Sequence, residues 1–276
     1  MARYKLTLVY DGTDFWGSQR QARRRTVQGE LEKALRALDW PGASVMLAGR
    51  TDAGVHASGQ VAALDLDWRH SPDALRDALN ARLPRDVVVA AAAIADARFH
   101  PRFDAVSRRY RYFVRFNAVR DPLHERAAWT TWPPADETML TRIATCFVGC
   151  HDFGAFGSAT RRGGGTIRTV TESKWTGAAE EWCFEIAAEG FLYRLVRRLV
   201  YVQIAAAQRR CPEQAVVMAL ENGSASAELA AGLAPPQGLV LVGVEYPVEA
   251  GSAARVTDER MESESAKDVL SEGKRD

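Results

Sequence analysis

The chain has 276 residues, of which 47% are hydrophobic, and a formal net charge of +1 at neutral pH. This length is sufficient for one large or two ordinary domains, each with a filled core. No membrane-spanning helix is predicted, because the longest apolar run, residues 87–95, is far shorter than the roughly 20 residues that a span requires.

The first predicted element is a strand at residues 4–10, where apolar and polar side chains alternate with period 2. A cluster of arginines follows and directly precedes a helix that begins near Thr26. Its members are Arg20, Arg23, Arg24 and Arg25. Arginine side chains and free backbone N–H groups at such a position can bind phosphates, and the first three residues are our candidates for that role. The alternative is a solvated loop.

A glycine-rich turn comes next, between two predicted strands at residues 44–48 and 60–66. Asp52 lies at its centre, and Arg50 can point to the same side. Glycines let a tight loop present the carboxylate, and a neighbouring guanidinium favours the charged form that a nucleophile or base requires. The loop alone leaves a second interpretation open, in which Asp52 only caps the turn.

Ser71-Pro72 predicts the start of a second helix. The apolar run at residues 87–95 predicts a strand that is buried on both faces. In the following strand, residues 106–116, Tyr110 lies on the apolar face, and arginines occupy the opposite face. From its position alone, Tyr110 is expected in the core.

Residues 119–134 are rich in proline and are predicted to form a linker, after which a helix begins at Asp136. Cys146, Cys150 and His151 have a spacing similar to part of a zinc site, but no fourth ligand is evident, so we predict no metal. The four cysteines of the chain form no paired framework, and the first residues show no signal-peptide pattern. Both features predict a cytoplasmic protein.

A basic loop at residues 161–165 precedes a predicted hairpin of two strands, residues 168–175 and 182–188, with its turn at Gly177-Ala178. The loop lacks the Gly-Lys-Ser/Thr ending of a P-loop, so it is not expected to hold a nucleotide phosphate.

The last predicted elements are a long helix at residues 191–209, a short helix at residues 212–222 and a strand at residues 239–246. Arg197 follows a buried position of the long helix. It either flanks the apolar face or belongs to a basic face that binds RNA phosphates. Residues 250–276 contain many charges and no aromatic side chain, so we expect a disordered tail.

The order of these elements predicts the fold class, since strands and helices are interleaved without strict βαβ repeats. This arrangement is typical of an α+β chain with a large mixed sheet. Residues 251–276 hold 5 basic and 7 acidic side chains, so the rest of the chain has a net charge of about +3. Nucleic-acid binding would therefore depend on local clusters of arginine.

The string Gly-Arg-Thr-Asp-Ala-Gly-Val-His-Ala at residues 49–57 resembles the catalytic signature of the TruA family of tRNA pseudouridine synthases. Further blocks follow in the family's order, so that the resemblance covers residues 4–247. They begin at Tyr10 (YDGTDFWG), Thr26 (TVQ), Leu83 (LPRD), Phe99 (FHPRF), Arg108 (RRYRY), Gly149 (GCHDF), Phe191 (FLYRLVRR) and Gly238 (GLVLVGVEYP).

The resemblance implies two similarly folded halves, residues 1–105 and 106–249, with a mainly antiparallel sheet, flanking helices and a basic cleft. It implies a homodimer in which tRNA contacts both subunits, and a reaction without metal or small-molecule cofactor. That reaction is the isomerisation of uridine to pseudouridine at positions 38, 39 and 40 in the anticodon arm of tRNA.

The resemblance also implies roles for single residues. Asp52 would be the catalytic carboxylate, and Arg197 would hold it through a forked contact. Tyr110 would be the active-site tyrosine, which stacks on uracil or relays a proton. Arg50 would take the place of the flipped base, and Leu239 would line the uracil pocket.

Two positions depart from the family pattern. Ser18 replaces a tryptophan, and Tyr201 stands where a glycine usually follows the arginine run. Neither departure is expected to involve Asp52, Tyr110 or Arg197 directly.

Three alternative functions differ from this interpretation. A non-catalytic RNA-binding or RNA-folding protein on the same scaffold is disfavoured, because Asp52, Tyr110 and Arg197 are all present. The same reaction on another RNA stays open. A glycoside hydrolase that uses Asp52 lacks an evident second carboxylate. For the synthase itself, the sequence does not separate attack of Asp52 on C1′ from proton removal at C2′.

Overall fold

One mixed sheet organises the chain in a computed structural model, which describes residues 1–161 and 163–247. The elements before residue 100 are β1 (Ala2–Tyr10), α1 (Val27–Arg36), β2 (Met46–Leu47), β3 (His56–Leu66), α2 (Pro72–Asn80) and β4 (Val87–Ile94). The later elements are β5 (Ser107–Phe116), β6 (Trp129–Thr131), α3 (Glu137–Cys146), β7 (Gly149–Asp152), β8 (Ile167–Ala178), β9 (Glu181–Ala188), α4 (Leu195–Ala207), α5 (Glu213–Asn222), a short 3-10 helix (Pro236–Gly238) and β10 (Leu239–Glu245).

The strands lie in the order β4-β1-β3-β10-β5-β9-β8-β7, with β2 paired to β3 and β6 paired to β5. Among the described residues, the pairs β10–β3 and β5–β6 are parallel and the other pairs are antiparallel. The last strand therefore lies in the middle of the sheet, between β3 and β5. These findings confirm the predicted α+β chain with a large mixed, mainly antiparallel sheet.

The alternation of side chains in the central strands decides which face of the sheet is buried. Leu6 and Leu8 of β1 and Tyr112 of β5 are fully buried, whereas Thr7 between the leucines is partly exposed. On the buried face, α4 packs against β5 and α3 packs against β8. Tyr110 lies on this face as well, so its predicted burial is confirmed.

Three helices begin where the sequence predicts. Thr26, Ser71 and Asp136 each accept a hydrogen bond from the backbone N–H three residues later. These side chains satisfy donors that the first helical turn leaves without a partner, which is why they fix the start of each helix.

The prediction that β4 is buried on both faces is wrong. Val87 and Val89 are buried, but Ile94 is 63% exposed. The strand lies at the edge of the sheet, pairs with β1 and is covered by α2 on one face. Its other face contains alanines, whose small side chains can be left in water at little cost.

The hairpin of β8 and β9 turns two residues later than predicted. Gly177 and Ala178 belong to β8, and Gly177 pairs with Trp182. A Cβ atom added to Gly177 would lie 2.7 Å from the indole of Trp182. The glycine therefore makes room for the ring and does not form the turn.

The long helix is shorter than predicted at both ends and begins at Leu195. Arg194, just before it, has a left-handed backbone with φ of 62°. The backbone N–H of Tyr193 donates to the carbonyl of Ser158 at 2.9 Å, which ties this segment to a distant loop.

Three further elements differ from the predictions. β2 is limited to two residues, and β3 begins at His56, so the turn around Asp52 spans residues 48–55. The predicted linker at residues 119–134 contains β6, which lies parallel to Val114–Phe116 of β5. The predicted tail and Arg162 of the basic loop lie outside the described residues.

Met1–Glu245 pack as one compact unit. Within it, β10 pairs with β3 on one side and with β5 on the other, and so joins the strands that precede residue 100 to those that follow it. The division into two similar halves, residues 1–105 and 106–249, stays a prediction. Within the described ranges the longest helix, α4, has 13 residues, and none is long and apolar enough to cross a membrane.

Candidate active site

The loop at residues 48–55 presents Asp52 just before the start of β3. The carboxylate is 26% exposed, so it is accessible from solvent without being fully hydrated. Gly54 has φ of 77°, a left-handed conformation that glycine adopts without strain, and it lies against Pro236. The loop is thus shaped both by its own glycine and by a segment much later in the chain.

Buried hydroxyl groups hold the residue next to Asp52. The N–H of Thr51 donates to the Oγ of Ser18 at 2.9 Å, and the N–H of Ser18 donates to the carbonyl of Thr51 at 3.1 Å. The hydroxyls of Thr51 and Tyr10 are 2.9 Å apart and share a hydrogen bond. Ser18 is fully buried. This departure from the family pattern thus bears on the site indirectly, since Ser18 anchors the neighbour of Asp52.

Two buried polar side chains of β3 fix the ends of the loop. Gln60 donates to the carbonyl of Gly49 at 2.9 Å and accepts from its N–H at 3.3 Å. His56 Nδ1 lies 3.0 Å from the N–H of Gly12, and Nε2 lies 3.1 Å from the carbonyl of Gln237. Since a carbonyl only accepts, Nε2 donates to Gln237, whereas Nδ1 faces both the N–H of Gly12 and a carboxylate oxygen of Asp11 at 3.1 Å.

Arg197, in the first turn of α4, contacts the Asp52 carboxylate. Its Nη1 donates to Oδ2 of Asp52 at 3.0 Å, and its Nε donates to the carbonyl of Ala234 at 2.8 Å. The guanidinium is 11% exposed, so the ion pair is largely shielded from water. The predicted pairing is present, but the predicted fork is not, because one edge of the guanidinium binds a backbone carbonyl.

The segment at residues 229–238, which we call the strap, supplies that carbonyl. Nη1 of Arg198 donates to the carbonyls of Ala230 and Gly232 at 2.6 and 2.8 Å. Tyr201 packs over Gly232 so closely that an added Cβ atom would lie 2.2 Å from its Cζ. The hydroxyl of Tyr112 donates to the carbonyl of Pro235 at 2.7 Å.

The strap therefore links α4 to the Asp52 loop. Pro236 lies against Gly54, and the carbonyl of Gln237 accepts from His56. The ring of Tyr201 also stacks on Trp129, with ring centroids 6.2 Å apart and planes 10° from parallel. The second departure from the family pattern thus bears on Arg197 indirectly, because Tyr201 packs on the segment that binds the guanidinium.

Tyr110 lies on β5 near these groups. Its ring packs edge-on against Phe191, with centroids 5.0 Å apart. Burial raises the pKa of the Tyr110 hydroxyl far above its usual range; the charges of Tyr10 and Asp52 raise it further, and Arg108 opposes them. The hydroxyl is therefore protonated at neutral pH. Tyr110 pairs with Leu241 of β10, which pairs with Ala57 at the start of β3, so Tyr110 lies two strands from the end of the Asp52 loop.

The other predicted contact residues differ in their surroundings. Leu239, at the start of β10, is 7% exposed and pairs with Tyr112 across the sheet. Arg50 is exposed beside Asp52 and forms no ion pair within the described part of the chain. Arg197, and not Arg50, is thus the guanidinium that holds the carboxylate.

The arginine cluster before α1 has mixed roles. Arg20 donates to buried Glu32 at 2.7 Å, although its side chain is still 47% exposed. Arg25 forks onto Asp86 with distances of 2.6 and 2.7 Å. Arg23 and Arg24 are exposed. Their binding of phosphates stays a prediction.

Sequence reasoning missed the residues that support the loop. Gln60, inside an apolar strand, is the clearest signal that could have been used, because a buried amide in such a run needs specific partners. His56 belongs to the signature string itself. Ser18 and Tyr10 give no comparable signal, since their partner Thr51 is distant in sequence.

The family model and the relatives that match this chain share one description. A family model described as tRNA pseudouridine synthase matches residues 8–104 and 143–247. The protein named tRNA pseudouridine synthase A from Methylacidiphilum infernorum is 39% identical over 248 residues, or 88% of this chain and 95% of that protein. Proteins of the same name from Roseiflexus castenholzii and Methylorubrum extorquens are 36% and 38% identical, over 92% and 90% of this chain and 94% and 100% of theirs.

Proposed function

The chain belongs to the tRNA pseudouridine synthase family and isomerises uridine to pseudouridine in tRNA, and we propose that its targets are uridines 38, 39 and 40 of the anticodon arm. The observation that carries the catalytic assignment is the contact between Asp52 and Arg197, which are 145 positions apart. The assignment of positions is supported by the TruA signature string at residues 49–57.

The reaction breaks the N1–C1′ bond of uridine and forms a C5–C1′ bond. A proton leaves C5 and N1 gains one, so atoms and electrons balance without an external oxidant or reductant. We assign the central role to Asp52, either as nucleophile at C1′ or as base at C2′. Both routes require a charged carboxylate in a fixed orientation.

Arg197 supplies that orientation in our proposal. It holds Oδ2 of Asp52, while Oδ1 has no hydrogen bond from the described residues and is the oxygen available to the substrate. Because the strap fixes the guanidinium through Ala234, the carboxylate is pre-organised before tRNA binds.

Tyr110 acts on the base. Its buried ring can stack on the uracil, and its protonated hydroxyl can accept the C5 proton only if it passes its own proton on. Asp52 is our candidate for the partner in this relay, since its loop ends two strands away from Tyr110 in the sheet. Leu239, which pairs with Tyr112 across the sheet, supplies an apolar wall of the uracil pocket.

The target base is stacked inside its helix and must be flipped out before it can reach Asp52. Arg50, exposed beside the loop, takes the place of the base or accompanies it. Arg20, Arg23 and Arg24 bind phosphates of the anticodon arm. We also propose the homodimer and the two similar halves that the sequence resemblance implies, and a cytoplasmic location, since all four cysteines are free thiols.

Tritium release from tRNA labelled at C5 of uridine tests this proposal. Transcripts with uridine at one of positions 38, 39 or 40 should each release tritium, and a transcript with cytidine at all three should release none. Asp52→Asn should abolish release while tRNA binding persists. Release from the transcript with three cytidines would contradict the assigned positions, and activity of Asp52→Asn would contradict the role of the carboxylate.

A further inference from the structure

Trp16 is a large aromatic side chain presented to solvent from the loop that follows β1. It is 51% exposed, whereas Phe15 before it is 2% exposed and Gly17 and Ser18 after it are buried. Exposure of a tryptophan removes much of the hydrophobic stabilisation that its burial would give. The fold therefore gains little from this ring as a core residue.

Several contacts nevertheless hold the position of Trp16. Its backbone N–H donates to the carbonyl of Arg25 at 2.9 Å, and its carbonyl accepts from Nε2 of Gln21 at 2.6 Å. The guanidinium of Arg24 lies over the indole, with Cζ 3.8 Å from the ring centroid. This cation–π contact covers one face of the ring and orders both side chains.

The loop that carries Trp16 is attached to the Asp52 loop on both sides of the ring. The carbonyl of Phe15 accepts from the N–H of Gly54 at 3.3 Å, and the N–H of Ser18 donates to the carbonyl of Thr51 at 3.1 Å. Gly17 lies so close to this backbone that an added Cβ atom would be 2.8 Å from the carbonyl oxygen of Thr51. Trp16 is therefore a fixed neighbour of the catalytic loop.

We propose that Trp16 and Arg24 form a stacking platform for one unpaired base of the RNA, next to the uridine that enters the active site. This inference rests on the proposed function. The indole offers its uncovered face to the base, and Arg24 on the opposite face increases the order of the platform. Base stacking on an aromatic ring tolerates all four bases, so the platform would not depend on which base occupies that position.

Other tryptophans of the chain show what a purely structural role looks like. Trp40 is 5% exposed and its indole N–H donates to the carbonyl of Asp65. Trp175 is 6% exposed and its N–H donates to Gln203. The indole N–H of Trp16 has no hydrogen bond within the described ranges, so this ring is held by its backbone and by Arg24.

A double-mutant cycle tests the platform directly. The affinity of an anticodon-arm transcript is measured for the wild type and for Trp16→Leu, with the intact RNA and with single abasic nucleotides at each unpaired position. Loss of one stacked base should raise the Kd of Trp16→Leu for intact RNA about tenfold. At the stacked position, removal of the base should raise the Kd of the wild type about tenfold relative to intact RNA. The same removal should leave the Kd of Trp16→Leu unchanged, because that variant has already lost the stacking contact.

Three controls separate the outcomes. Trp16→Phe keeps a stacking ring and should retain most of the affinity, and Trp132→Leu, which changes another exposed tryptophan (58%), should leave the Kd unchanged. Equal melting temperatures would exclude unfolding as the cause. An unchanged Kd for Trp16→Leu, or additive effects at every position, would overturn the platform. Absence of pseudouridine from the intact arm with the wild type would instead contradict the proposed target.

Discussion

At the scale of single residues, the site depends on how one guanidinium divides its hydrogen bonds. Arg197 binds Asp52 with one nitrogen and the strap with another. A planar group with donors in fixed directions can serve both partners at once, whereas an ammonium group on a flexible chain is a point charge. The arrangement therefore requires arginine specifically, and not only a positive charge.

We expect Arg197→Lys to lower kcat by roughly 10- to 100-fold, because a hydrogen bond to a charged group contributes about 1.5 to 3 kcal/mol. Single-turnover rates of pseudouridine formation measure this loss. Arg142→Lys, at a surface ion pair with Glu213, is the matched control and should leave the rate unchanged. Equal rates for Arg197→Lys and wild type would show that charge alone suffices.

We expect Tyr110→Phe to lower kcat by about 100-fold or more, the usual contribution of a positioned acid or base, with little change in KM. The ring is retained, so stacking on uracil persists. Because the pKa of Tyr110 is raised above its ordinary value of 10.0, the wild-type pH profile should show no inflection at that value. A rise of kcat near that pH would indicate a phenolate base and contradict the relay.

The sequence was most informative for these residues. Asp52 and Arg197 were predicted as a pair, and the structure brings them into contact. Their resemblance to a family signature made this possible, since the helix pattern alone left Arg197 between two roles. The hydrogen bond from Arg197 to the carbonyl of Ala234 could not be predicted, because every residue has a backbone carbonyl and the sequence does not indicate which one is an acceptor.

At the scale of elements, the strap decides how α4 and the catalytic loop are fixed relative to each other. Its residues have no helical or strand period, so neither hydrophobic pattern nor propensity predicts its course. The same limit explains the errors at β4 and at the β8–β9 turn. In both places, packing decides the role of a residue: pairing with the distant strand β1 at β4, and the ring of Trp182, five positions later, at Gly177.

We expect Gly232→Ala to destabilise the protein by about 1 to 3 kcal/mol, the usual cost of a non-glycine residue in a strained backbone conformation. Gly232 has φ of 145°, and the new methyl group would meet the ring of Tyr201. A displaced strap would also withdraw the carbonyl of Ala234 from Arg197, so kcat should fall.

Urea unfolding and single-turnover kinetics measure the two effects. Adding Tyr201→Ala to Gly232→Ala removes the clash but not the backbone strain, so it should recover part of the lost activity. A double variant no more active than Gly232→Ala would show that the ring does not transmit the effect.

At the scale of the whole molecule, ion pairs connect elements that are far apart in the chain. Arg3 forks onto Asp65 of β3 with two distances of 2.7 Å, and Arg25 forks onto Asp86 before β4. These hydrogen bonds lower the pKa of each carboxylate below its ordinary value of 3.8, and burial partly opposes them. Such links were not predictable from the near-neutral composition.

The lowered pKa values of Asp65 and Asp86 determine whether stability rises or falls with pH. The folded state binds fewer protons than the unfolded state at acid pH, so the stabilisation is complete above pH 3.8 and is lost as the pH falls through the lowered values. We expect the melting temperature to be nearly constant around neutral pH and to fall below about pH 4. Arg3→Met should lower it at neutral pH and make the acid slope shallower, and an unchanged slope would contradict the contribution of Asp65.

The central place of β10 has a consequence for the synthesis of the protein. Strands β3 and β5 meet only through this seven-residue strand, which is the last described element to leave the ribosome. Until it emerges, both neighbours expose unpaired edges, and such edges can pair with other chains. Asp52 is translated early but must wait for Arg197, the strap and β10, so a nascent chain cannot act on tRNA before β10 has emerged.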